Sequence, residues 1–263
     1  KRAVRHRLAT RRLQPAFERL HGWSLAGMGI GSAVRAVGES GEARFVADAT
    51  RWAAGRRANP CCLDVGANLG EYARLLADGL GPEARIDCFE PSAATFARLT
   101  TALASLPTCR PHQLALGAVD GEAVLHTVPG HSQLASLHGD LGASVDEEVP
   151  VARLDTWAAA EGIDHIELLK VDVEGTELDV LRGAGDLLAG GAVDLVQFEF
   201  GRRNQLAGTR MEDLFDLLAG YRLHRLVLDG LHPLGDYHEG LELPYSATNY
   251  VAVRDGLAGW PRR

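Results

Sequence analysis

Leu63-Asp64-Val65-Gly66-Ala67-Asn68-Leu69-Gly70 is the stretch on which the fold turns. It closes an apolar run, Cys61 to Val65, and opens an amphipathic one in which Tyr72, Leu75, Leu76 and Leu80 recur at helical spacing. A glycine turn between a buried strand and a helix is the setting a nucleotide-binding loop needs. Glycines let the backbone approach a ligand, and the start of the helix offers free N–H groups. The spacing is GxxxG, without the middle glycine at which a dinucleotide's pyrophosphate meets the backbone, so it favours a ligand that lacks one. A tight strand-to-helix turn with no ligand would use the same residues, and the loop alone does not separate the two.

The chain on either side has the rhythm of consecutive βα units, which predicts a doubly wound α/β domain. Ile86 to Phe89 reads as a second strand, the residues after Pro91-Ser92 as a helix with Phe96, Leu99 and Leu103 on one face, and His112 to Leu116 as a third strand. Ala123 to Val128, Gln133 to His138 and Val149 to Leu154 are short strand-like runs parted by turn residues, a β-rich insertion. The rhythm resumes with a helix over Asp155 to Ala160, a strand over Ile166 to Val173, a helix over Thr176 to Arg182 and a strand over Val193 to Phe200. Thr209 and Glu212 have capping-box spacing ahead of Met211, Leu214, Phe215 and Leu218; Leu223 to Leu228 and Tyr250 to Val253 make the last strands. Leu13 to Asn59 reads as an irregular helical cap, with Leu13, Phe17 and Leu20 on one face and Phe45, Val46, Ala49 and Trp52 on another. The expected organisation is a basic arm and cap over residues 1–59, a main domain over 60–254 and a tail over 255–263.

Two further features carry chemistry. Glu90 ends the second strand about 20 residues past the glycine loop, where a carboxylate accepts hydrogen bonds from ribose hydroxyls. Alone it also fits an acid favoured by a helix N-terminus, but its order after Gly66 and Gly70 favours the ribose. In Lys170-Val171-Asp172-Val173-Glu174-Gly175, an extended backbone puts Lys170, Asp172 and Glu174 on one face. Three ionisable groups at the end of a buried strand are costly unless paired or used. They form either a ligand-facing set at the carboxyl edge of the sheet or an ion-pair cluster in which Lys170 is neutralised by Asp172, Glu174 or Glu199.

Composition narrows the function classes. A 263-residue chain with 46% hydrophobic and 24% charged residues has globular balance. Six of its 27 basic residues fall in the first twelve positions, so the remainder carries 21 basic residues against 35 acidic ones and repels phosphate backbones. Nucleic acid is therefore not the expected partner. The four cysteines, Cys61, Cys62, Cys88 and Cys109, have no metal-ligand spacing and read as reduced strand residues of a cytoplasmic protein. No apolar run is long enough for a membrane span, and the arginine-rich start lacks the apolar core of a signal peptide.

The motif set as a whole is similar to the FkbM-type methyltransferases. The residues that carry the resemblance are the Asp64 to Gly70 loop, Phe89-Glu90-Pro91-Ser92, Ala115-Leu116-Gly117, Arg153-Leu154-Asp155, Leu169 to Glu177 and Leu181-Arg182-Gly183-Ala184, in order from about Cys61 to Val253. The resemblance implies a class I methyltransferase (Rossmann-like) fold, a seven-stranded sheet with its last strand antiparallel, that binds S-adenosylmethionine. By position, Gly66, Ala67, Asn68 and Gly70 would face the methionine part, Glu90 the ribose, and Ala115 and Leu116 the adenine; Asp64 and Pro91 complete the cofactor set, and Asp172 falls near the methyl group. The implied reaction is O-methylation of a hydroxyl on a small molecule: a sugar, a glycoconjugate or a polyketide-type secondary metabolite. Asp172 or Glu174 would take the acceptor's proton, with His238 or His232 from the later loops as the competing base. No metal is assigned; a divalent ion on Asp172, Glu174 and Glu199 is the less favoured option. Two other functions stay open, a cofactor-binding module without turnover and a nicotinamide oxidoreductase, as does assembly into a homo-oligomer.

Overall fold

A computed structural model describes residues 8–32, 37–128, 131–136, 145–242 and 246–260. Its centre is β1 (Cys61–Val65), every residue of which is buried. Parallel partners flank it on both sides: β2 (Arg85–Phe89) and then β3 (Cys109–His112) on one, β8 (Ile166–Val171) and then β9 (Val193–Phe200) on the other. Beyond β9 lie β12 (Thr248–Arg254), β10 (Tyr221–Val227) and β11 (Gly230–Pro233), giving the order β11-β10-β12-β9-β8-β1-β2-β3. β12 runs against both β9 and β10, and β11 runs against β10. The fold class is the doubly wound α/β one expected. The sheet has eight strands where seven were anticipated, because Leu228-Asp229 turns the chain back into the short hairpin strand β11 at the edge.

The apolar runs are continuous because the central strands are covered on both faces. Alternate residues go to opposite layers. Leu63, Val65, Phe89, Val171, Phe198 and Tyr250 pack toward the helices Glu177–Gly183 and Met211–Leu217. Cys62, Ile86, Cys88, Leu168, Leu195 and Val251 pack toward the helices Glu42–Ala54, Glu71–Leu80 and Ala93–Leu103. All four cysteines are free and buried in strands β1 to β3.

The β-rich insertion is a second sheet, β4-β7-β5-β6, formed by Ala115–Leu116, Val145–Ala152, Gly121–Val128 and His131–Ser136 respectively. This corrects one expectation: the third strand ends at His112, and Ala115-Leu116 leaves the main sheet to pair in parallel with Val151-Ala152. Two motifs of the resemblance are scaffolding here. A Cβ on Gly183 would stand 2.1 Å from the Gly117 carbonyl oxygen, so glycine lets the helix Glu177–Gly183 press on the start of this sheet. Arg153 pairs with Asp155 at 2.8 Å, and Asp155 accepts the backbone N–H groups of Asp186 and Leu187, tying the helix Leu154–Ala160 to the short helix Gly185–Ala189.

The amino-terminal region divides in two. Helix Glu42–Ala54 buries Phe45, Val46, Ala49 and Trp52, as its periodicity predicts. Helix Gln14–Gly27 forms as well but buries none of its residues, and Trp23 is 73% exposed, so it does not cap the sheet. The helix Met211–Leu217 also departs from expectation. Its first N–H groups, on Met211 and Glu212, donate to the distant Glu242 carboxylate, and Arg210 N–H donates to Asp213, in place of a Thr209–Glu212 box. No helix among the described residues is long and apolar enough to cross a membrane.

Below the carboxyl edge a polar row crosses the core. Lys170, with its side chain 8% exposed, lies 3.3 Å from Asp64 and 3.4 Å from Asp172 and sits over the Tyr72 ring. Tyr72 donates its hydroxyl hydrogen to Gln197, Gln197 donates to Glu42, and Ser40 donates to the other Glu42 oxygen. Of the partners anticipated for Lys170 only Asp172 is one; Asp64, its cross-strand neighbour, supplies the second charge. Burial pulls the lysine down, and Asp64, Asp172 and Glu42 together outweigh it, holding the ammonium above its ordinary range. Removing one member of such a buried pair strands the other, a loss of about 3–5 kcal/mol. Lys170→Met should therefore lower the free energy of unfolding by that order in urea titrations, and Asp64→Asn added to it should restore much of the loss. A single Lys170→Met variant as stable as the wild type would contradict the pairing.

Candidate functional site at the carboxyl edge

The ends of β1, β2 and β8 build the site. Gly66 and Ala67 donate their N–H groups to the Phe89 carbonyl at 3.0 and 2.9 Å, and Asp172 N–H donates to the Val65 carbonyl at 3.0 Å. The three chain segments are thus locked together just where the strands stop. Gly66 has φ +80° and packs so tightly on β8 that a Cβ would stand 1.9 Å from the Asp172 carbonyl oxygen, so no other residue fits. Asn68 and Glu174 also have positive φ, 46° and 60°, the two described non-glycine residues that do. Such strain held at strand ends is typical of ligand-contacting loops.

Glu90 is 6% exposed and faces back across the loop. One carboxylate oxygen accepts the Asn68 N–H at 3.1 Å and the other accepts the Ser92 N–H at 3.0 Å. A carboxylate has about four acceptor positions. Two backbone donors therefore leave room for two hydroxyls. The Asn68 side-chain oxygen is buried beside it with no hydrogen-bond partner, an acceptor that a bound molecule would satisfy. Pro91 follows directly and turns the chain into the helix Ala93–Leu103.

Asp172 and Glu174 flank the loop from β8. Asp172 has a side chain 34% exposed and pairs with Lys170; Glu174 lies 3.2 Å from Arg203. Glu177 was not singled out from sequence, yet it shapes this turn. Its carboxylate accepts the N–H groups of Val173 and Gly175 and a hydrogen bond from the Asn204 side chain. The signal available was its place two residues after a glycine at a helix start, where an acid closes a turn. Glu199 adds a fourth acid to the neighbourhood.

The remaining expected residues divide. Asp64 is fully buried beneath the loop against Lys170, where it supports the site without lining it. Ala115 and Leu116 are buried at the junction of the two sheets. His238 and His232 lie together at the far end of the main sheet, beside β10 and β12, in a different cavity from the glycine loop. Among the described residues, the group of acidic and histidine side chains close enough to share an ion is His165, Glu167 and Asp194, at the opposite edge of the sheet. Arg57 and Arg254 already pair with those two acids.

Burial dominates the electrostatics. It pushes Glu90, Glu174 and Glu177 up to about 7 and Glu199 up to about 9, against the lowering effect of backbone N–H groups on Glu90 and of Arg203 on Glu174. In the unfolded chain these groups ionise near 4.3. Between those values the folded protein holds more protons, so the stability they contribute is full below about pH 4.3 and is lost as pH rises through 7 to 9. His224, lowered by burial, acts oppositely but below about pH 6.5. The ligand-free protein should therefore melt at a higher temperature at about pH 6.5 than at about pH 8. An equal or lower melting temperature at pH 6.5 would show that these carboxyls are not desolvated.

Comparison with known proteins places this geometry in a family. The Methyltransferase FkbM domain matches residues 64–223, from the glycine loop to β10. The 2-O-methyltransferase NoeI of Sinorhizobium fredii is 29% identical over 147 residues, 49% of this chain and 59% of that protein. Methyltransferase 1 of Beauveria bassiana is 32% identical over 145 residues, 47% of this chain and 58% of that one. The chain thus spans less than two thirds of the curated relatives it matches. Among solved structures, Aeropyrum pernix fibrillarin with natively bound S-adenosyl-L-methionine is 15% identical, with 80% of this chain and 74% of that one covered and a TM-score of 0.43. The domain match takes in more than half of the sequence, including all three segments that meet at the site, and the chain belongs to the FkbM methyltransferase family.

Proposed function

We propose that this protein is an S-adenosylmethionine-dependent methyltransferase that methylates a hydroxyl oxygen of a small molecule. The observation that carries the reading is Glu90, a buried carboxylate facing the glycine loop with acceptor capacity left after its two backbone bonds. Its two backbone bonds tie the turn, and the acceptor capacity left over fits the two adjacent hydroxyls of a ribose. Relatedness to NoeI, a 2-O-methyltransferase, supports oxygen as the atom methylated. Sugars, glycoconjugates and polyketide-type metabolites are the acceptor classes in view.

Bound S-adenosylmethionine supplies a methyl group already activated by its sulfonium charge. The protein's work is then to hold the donor, align an acceptor oxygen and accept a proton. The loop Gly66 to Gly70 and the unpartnered Asn68 oxygen would hold the methionine end, and Glu90 the ribose. Glu174 and Glu199, raised by burial and by neighbouring carboxylates, ionise more readily once a positive charge enters, so the carboxyl edge favours a cationic donor. Asp172, with a side chain 34% exposed against 27% for Glu174, would orient the acceptor hydroxyl. Glu174, raised to about 7, has the proton affinity suited to taking the hydroxyl proton near neutral pH. His238 lines a separate cavity and is the less favoured base.

The test is transfer of a labelled methyl group to a panel of sugars and hydroxylated polyketides, with the product's new methyl located by mass spectrometry. Glu174→Gln should lower kcat about 10²- to 10⁴-fold while leaving donor affinity within a few-fold. Glu90→Ala should instead weaken donor binding about 10- to 100-fold, the loss of charged hydrogen bonds. Methyl appearing on nitrogen or carbon would remove the O-methylation reading, and unchanged donor affinity in Glu90→Ala would remove the ribose assignment.

A further inference from the structure

At the far end of the main sheet a cavity of about 230 Å³ is lined by Arg225, Tyr250, His232 and His238 and bounded by Met28 and Leu241. Arg225 is 7% exposed. Its Nε has no hydrogen-bond partner, and among the described residues no carboxylate lies within 4.0 Å of its guanidinium. Glu242, next to Leu241, spends its oxygens on the N–H groups of Met211 and Glu212 and on the Tyr237 hydroxyl. A buried donor of a charged group left without an acceptor is costly, and a bound anion would relieve it. Two histidines beside it add further donors and no acid.

The position of this cavity relative to the methyl-donor site is fixed by strand register. Val65, Val171, Phe198, Tyr250, Arg225 and His232 are successive cross-strand partners on β1, β8, β9, β12, β10 and β11. Cross-strand partners project to the same face of a sheet. Arg225 therefore stands level with the last residues of β1 and β8, beyond which the glycine loop and Asp172 begin. Three strand spacings of about 4.8 Å separate it from Val171, or about 14 Å. Phe198 and Tyr250, both buried, fill the face between them, so the Arg225 cavity and the glycine-loop opening are separate.

We propose that this cavity is a second binding site in which Arg225 holds an anionic group, a carboxylate or a phosphate. The ligand class is small carboxylated or phosphorylated molecules, and the site stands apart from the methyl-donor opening. The cost of leaving Arg225 unpaired in the free protein is what makes the pocket selective. A neutral molecule would leave the Arg225 Nε donor unsatisfied.

Thermal melting and calorimetry on the whole protein test this with four probes: inorganic phosphate, glucose 6-phosphate, glucuronate and neutral methyl glucoside. At least one anionic probe should raise the wild-type melting temperature and methyl glucoside should not; the pattern among them separates phosphate from carboxylate recognition. Arg225→Met should bind the responding anion at least tenfold more weakly and should melt higher than wild type in anion-free buffer, because it removes an unsatisfied buried donor. Arg225→Lys, which keeps a positive charge, should retain part of the response. S-adenosylhomocysteine titrated into the same samples should bind wild type and Arg225→Met alike; its failure to bind counts against the methyl-donor site, while anion binding is read separately. No response of wild type to any anionic probe, or an equal response of Arg225→Met, would overturn the proposal.

Discussion

The close approach of two strand ends governs this molecule. Gly66 lies so near the Asp172 carbonyl that the space of a single methyl group does not exist between them. That contact closes the gap between β1 and β8 at the carboxyl edge. It brings the loop from Gly66 to Gly70, the carboxylate of Glu90 and the acids after β8 around one opening. Asn68 and Glu174, with backbone angles their side chains disfavour, are held by the same junction. Any residue with a Cβ at position 66 would push β8 away and disperse the site.

Charge is distributed to serve that opening. Lys170 sits beneath it and neutralises Asp64 and Asp172, while Glu90, Glu174, Glu177 and Glu199 are raised by burial and cost the empty protein stability as they ionise. A cationic donor offsets part of that cost on binding. At the other end of the same level of the sheet, Arg225 has the opposite need. A cation at the first opening and an anion in the Arg225 cavity would each relieve the region they enter.

What the sequence disclosed were the features written in contiguous residues at strand ends. The Asp64 to Gly70 loop, Glu90 and Asp172 lie at the carboxyl edge because each directly follows a strand whose apolar run is unmistakable. What it hid depends on residues far apart along the chain. Asp64 was not seen as Lys170's partner, since only parallel register sets them side by side. Ala115-Leu116 looked like the end of the third strand because its pairing with Val151-Ala152 leaves no local trace. Glu242 caps the helix Met211–Leu217 from a distant turn, overriding the local Thr209–Glu212 signal. Arg225, one basic residue in an ordinary strand, gains its meaning from a cavity whose other walls come from three separate segments.

The central claim is that the opening formed by the loop, Glu90 and Asp172 holds an adenosyl donor. Isothermal titration of purified, ligand-stripped protein with S-adenosylhomocysteine and with S-adenosylmethionine tests it most directly. The account predicts saturable binding of one molecule per chain for both, each competing with the other. No heat with either compound, under conditions where the protein is folded, would contradict it.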